Sequence, residues 1–99
     1  MAKFLTLWEI DTTKLPEKPE EQMSLYTKLM DMLKEDIESR HKMDWGEFVN
    51  VNEGYSIYEG TEQEVWLSLV KYTPYLKFKV HPVLSYEQVI ENMKKLSHA

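Results

Sequence analysis

The sequence predicts an α+β fold: strand, helix, strand, strand, helix, strand, and then a last helix. Three observations predict it. Residues 75–81 alternate apolar and polar side chains, the period of a strand. Apolar residues after Pro19 recur at three- and four-residue steps, the period of a helix. The run NVNEG at 50–54 supplies turn residues between two short strand-like segments. With 99 residues, 42% of them hydrophobic and 29% charged, the chain has a globular composition and fits one domain over 1–99.

Residues 3–10, KFLTLWEI, form the first predicted strand. Phe4, Thr6, Trp8 and Ile10 share one face; Leu5, Leu7 and Glu9 share the other. Both faces are largely apolar, which is how a strand covered on both sides reads. The loop DTTKLPEKPEE leads into a helix over about 19–40. Pro19 suits its first turn, and Glu20 and Glu21 suit the positive end of its dipole. Met23, Tyr26, Met30, Leu33 and Ile37 make its apolar stripe, widened by Leu25, Leu29 and Met32. Asp36 stands four residues before Arg40, the favourable order for an ion pair. Arg40, His41 and Lys42 place cations at the negative end.

DWGEFVNVNEGYSIYEG predicts two antiparallel strands, 45–50 and 54–59. GTEQEVWLSLVKYTP is the second helix. Thr61 and Glu64 have capping-box spacing; Val65, Trp66, Leu69, Val70 and Tyr72 form its apolar side; Pro74 stops it. In the strand at 75–81, Leu76, Phe78 and Val80 face one way and Tyr75, Lys77, Lys79 and His81 the other. Ser85 and Gln88 repeat the capping-box spacing before a last helix over about 86–96, which carries Val89, Ile90, Met93 and Leu96. The first six elements have the ferredoxin-like order, βαββαβ, and the last helix is an addition to it.

That order places two helices on one sheet face and the first strand at the centre. Its doubly apolar character then demands a second cover, because monomers seldom expose large apolar faces. The last helix is one cover, and the sheet of a second copy is the other. The chain also resembles the dimeric α/β-barrel superfamily over about its full length, in particular a family of small uncharacterised single-domain proteins within it. The resemblance rests on KFLTLWEI, GYSIYEGTEQEV and KYTPYLKFKVHPVLSYEQVI. It implies a homodimer or higher oligomer, with the proline-containing end of the last strand reaching toward a partner subunit. Superfamily members include heme-degrading and quinone-forming monooxygenases, lactone isomerases and proteins with no known activity, so the fold by itself selects no reaction. The heme-degrading members use an asparagine, a tryptophan and a helical histidine. Here Trp66 is a loose match, the first strand has no asparagine, and His98 is nearly terminal. No cofactor is expected.

Net charge −5 and a single arginine disfavour nucleic acid and anionic membrane surfaces. The absence of cysteine removes disulfides, thiolate nucleophiles and thiolate metal sites. It suits the cytoplasmic location expected here. MAKFLTLWEI is too soon charged to read as a signal peptide, and no run approaches the ~18 apolar residues of a membrane span. The expected partners are the chain itself and a small-molecule ligand, with no nucleic acid and no membrane.

His81 and Glu47 are the catalytic candidates. A histidine titrates near neutrality and serves as acid or base. His81 also reads as a polar strand residue held extended by Pro82, and its row of polar neighbours favours that reading. Glu47, on a strand face with Trp45 and Val49, is either a pocket acid or an edge charge, the latter being favoured. Trp66, Tyr26, Trp8 and Tyr58 are the ligand-binding candidates, since pockets are largely aromatic and apolar. Core packing is the competing use of such residues. His41 reads as a helix-terminal cation and His98 as part of a frayed tail, so no metal site is expected. The function expected is binding of a small hydrophobic or aromatic molecule by a homo-oligomer. The alternatives are a cofactor-independent monooxygenase or isomerase on a small ring compound, and a non-catalytic interaction protein.

Overall fold

β1 (Ala2–Ile10) occupies the interior of a four-stranded antiparallel sheet whose order is β2-β3-β1-β4. The other strands are β2 (Lys42–Glu47), β3 (Glu53–Gly60) and β4 (Leu76–Val83). Three helices complete this α+β chain: α1 (Pro19–Glu38), α2 (Glu62–Val70) and α3 (Tyr86–Ser97). The computed structural model describes residues 2–39 and 42–97, without the side chains of Lys42 and Met43.

Register fixes which residues share a face. Trp45, Ser56, Thr6 and Val80 form one row across the sheet, on the helix-covered side. Asp44, Ile57, Leu5 and His81 form the neighbouring row on the opposite side. The two faces of β1 therefore divide as its sequence predicts. Phe4, Thr6 and Trp8 are buried, while Leu5 and Leu7 are half-buried. The core sits under α2, where Val65 and Leu69 pack on Phe4 and Tyr58, with Phe78 alongside. The Thr61 box forms as expected: Glu64 N–H donates to Thr61 Oγ1 at 3.1 Å and Thr61 N–H to Glu64 Oε1 at 3.0 Å.

Two strand boundaries and the inward face of α1 differ from expectation, each for a physical reason. β2 lies at 42–47 rather than 45–50, because the turn takes residues 48–52. Phe48 N–H donates to Glu53 O at 2.8 Å, and Val51 and Asn52 adopt φ of 58° and 65°. Val49 is consequently fully exposed instead of sharing a face with Glu47. β4 runs on through Pro82 and Val83, pairing with Phe4 and Lys3; an edge strand tolerates the missing proline N–H. α1 buries Leu33 and Asp36 and leaves Met23, Met30 and Ile37 substantially exposed. Its inward row is therefore Tyr26, Leu29, Leu33 and Asp36. Asp36 bonds Lys71 and Tyr72, while Arg40, its expected partner, lies outside the described residues, as do His41 and His98.

α3 buries no residue. It covers neither face of its own sheet, so one of the two covers considered for the bare face is not supplied within the chain.

Candidate functional site

The helical layer is uneven. α2 meets the sheet along β3 and covers the packed core, while α1 meets it mainly along β2. Between α1 and the sheet this leaves a cavity of about 300 Å³, at the lower end of small-molecule pockets.

Its floor is a pair of indoles. Trp8 and Trp45 stack with centroids 5.5 Å apart and planes inclined by 6°. Trp8 Nε1–H donates to Tyr55 O at 3.3 Å, which fixes the ring across β3. That crossing requires Gly54. A Cβ there would lie 2.4 Å from the Trp8 ring and 2.1 Å from Gly46 O. Tyr26, Leu29, Met30 and Leu33 descend from α1 as the roof. Glu47, Val51 and Asn52 stand at the mouth. Val51 is a β-branched residue in the left-handed region, an uncommon and strained conformation.

Polar groups enter from the side nearest the core. Ser56 and Tyr72 both reach the cavity wall. Behind them Asp36, only 5% exposed, accepts hydrogen bonds from the Tyr72 hydroxyl and the Lys71 ammonium. Burial, together with the Asp36 carboxylate beside it, pushes the Tyr72 phenol far above its ordinary range. Burial does the same to Tyr58, with a part offset by the Ser56 hydroxyl. Both phenols are therefore neutral at physiological pH, with Tyr72 donating to Asp36. Beside Ser56 on the sheet lies Thr6, whose buried hydroxyl has no hydrogen-bond partner among the described residues. The result is a largely apolar slot with hydroxyls at one side and, among the described residues, a single carboxylate, Glu47, at the solvent edge.

Of the residues singled out from sequence, Trp8, Tyr26 and Glu47 line this cavity. Tyr58 lies beneath it in the core, packed with Phe4 and Val65. Trp66 is elsewhere: it is 63% exposed and flanks a second, shallower groove between α2 and β4. His81 lies on the opposite sheet face, across from Leu5, so it shares no site with Glu47. Sequence reasoning missed Ser56, Leu29 and Tyr72 as wall residues. Gly46 and Gly54 were the available signal, since glycines inside strands mark close approaches; a Cβ on Gly46 would meet the Tyr55 ring at 2.4 Å.

Among the described residues, no cluster of three His, Asp or Glu side chains could hold a metal ion. No helix among them is long and apolar enough to cross a membrane. No family model matches the chain, and no curated protein matches it significantly.

Proposed function

We propose that this protein binds a small, flat, largely apolar molecule, an aromatic one above all, in the cavity between α1 and the sheet. The cavity itself carries the reading: an aromatic-floored slot with a few hydroxyls on one wall is the composition of a ligand pocket. We further propose that it works as a homodimer of ferredoxin-like subunits, a dimeric α/β barrel. The strand order and the two helices that share one sheet face support that fold. The half-buried Leu5, Leu7 and Ile57 on the other face support the dimer.

Binding is preferred to catalysis for a geometric reason. Acid–base chemistry on a ring compound calls for groups placed against one substrate. Among the described residues Glu47 is the only carboxylate on the cavity wall, and His81 faces away from it.

The test is a panel of neutral mono- and bicyclic aromatic compounds, read by thermal unfolding and by quenching of tryptophan emission. A ligand at a hundredfold excess over its Kd adds about 2.7 kcal/mol of stability, a rise of roughly 10 °C or more for a chain of this size. Leu29→Trp, which fills the slot from the half-buried face of α1, abolishes both signals. No shift from any compound with the native protein would sink the proposal.

A further inference from the structure

α3 is the element that nothing in its own subunit explains. Its box forms, with Gln88 N–H donating to Ser85 Oγ at 3.1 Å and Ser85 N–H to Gln88 Oε1 at 2.8 Å. Yet Tyr86, Val89, Met93 and Leu96 stand exposed along one stripe. Twelve residues are marginal as an isolated helix in water, where tertiary packing supplies most helical stability. The helix extends the molecule instead of packing on it. The dimensions are 62 × 26 × 22 Å and the radius of gyration is 16.8 Å, against about 13 Å for a compact chain of this length.

A groove of matching character lies on the body. Between α2 and the β4 edge is a depression of about 550 Å³, walled by Phe4, Trp66, Val70, Phe78, Val80 and Pro82. Trp66, Val70 and Val80 are 63%, 38% and 40% exposed. We propose that α3 of a second copy docks into this groove, antiparallel to α2.

Length, charge and area favour that occupant. The α3 stripe from Tyr86 to Leu96 covers about 15 Å and α2 about 12 Å at helical rise. α3 carries Glu87 and Glu91 in its first half and Lys94 and Lys95 in its second. α2 carries Glu62 and Glu64 in its first turn. The antiparallel arrangement sets Lys94 and Lys95 beside those acids and opposes the two helix dipoles. A four-stranded sheet offers a flat footprint of about 400 Å² per copy, short of the about 800 Å² per partner of a standard interface. Two docked α3 helices supply more. The subunit's own α3 is held away, because β4 stays paired to β1 as far as Val83 and only Leu84 and Ser85 separate strand from helix.

The inference rests on the homodimer reading and names the surface that completes it. The chain has no cysteine, so single cysteines report pairing directly. Full-length Met93→Cys chains are mixed with tagged Trp66→Cys chains and oxidised, with Val89→Cys and Val70→Cys as a second pair in case a first variant fails to fold. The expected result is at least tenfold more mixed disulfide than either like pair, and its loss when Leu96→Glu is added to the helix-donating copy. A dimer by light scattering without that excess overturns α3 docking, leaves the homodimer standing, and assigns the stripe to a foreign protein or a membrane surface. A monomer by light scattering overturns both. Ring closure within one Trp66→Cys, Met93→Cys chain at nanomolar concentration also overturns the proposal, in favour of the subunit's own helix.

Discussion

At the scale of single residues, the chemistry of this molecule is set by buried hydroxyls. Tyr58 and Tyr72 are 1% and 3% exposed, and burial is the first cause that raises both phenols. The consequence appears at alkaline pH. In the unfolded chain a tyrosine ionises near pH ~10, whereas the native protein holds both phenols neutral beyond that. The unfolded state then binds fewer protons than the native state, so stability falls as pH rises. The contribution is fully present below about pH 10 and is lost between there and the raised native values, by at most about 1.4 kcal/mol per pH unit for each phenol. Urea unfolding followed from pH 8 to 11.5 shows a steepening loss above pH 10. Tyr58→Phe and Tyr72→Phe each flatten it relative to the native chain. A native curve as flat as those of the variants would refute the assignment.

At the scale of elements, Asp36 fixes α1. α1 meets the sheet mainly along β2, and its buried Asp36 ties it to Lys71 and Tyr72, just beyond α2. Removing a buried carboxylate strands its donors, but Lys71 is already 39% exposed at its side chain and can turn to water. Asp36→Ala is therefore expected to cost about 2 kcal/mol and to speed hydrogen exchange in α1 selectively. Exchange that quickens equally in β1 and β3 would show a global effect instead. This tie was not legible in the sequence, where Asp36 stands in helical register with Arg40, because its actual partners are 35 and 36 positions away. The same blindness rotated the expected α1 stripe toward Met23, Met30 and Ile37. What was legible is local. The two faces of β1, the polar row Lys77, Lys79, His81, and both capping boxes follow from periods and spacings only a few residues long. That reasoning failed at β2, where strand-like Phe48 and Val49 give no warning that the turn begins before NVNEG. The cavity was half legible. Trp8, Tyr26 and Glu47 stand out by type, but Ser56 and Leu29 acquire a role only from the cavity between α1 and the sheet.

At the scale of the whole molecule, the bare sheet face decides whether this chain is complete alone. Leu5, Leu7, Tyr55 and Ile57 form a half-buried apolar strip at its centre. Lys77, Lys79 and His81 flank the strip on β4, and Asp44, Glu53 and Glu59 flank it on β2 and β3. In the proposed homodimer the strip is the apolar surface that a second sheet would cover. Sheets pack face to face at about 10 Å, which leaves no room for a solvated ammonium at the centre. Leu7→Lys is therefore expected to convert the proposed dimer to a monomer in light scattering at micromolar concentration, because each copy would bury an unpaired charge. Its half-exposed position lets the subunit itself fold, and the Trp8–Trp45 stack on the opposite face keeps its near-ultraviolet dichroism. A variant that stays dimeric with that signal intact would remove the sheet face from the interface. A monomer that has lost the signal would show that the cavity floor depends on the partner, and that ligand binding and assembly are one equilibrium.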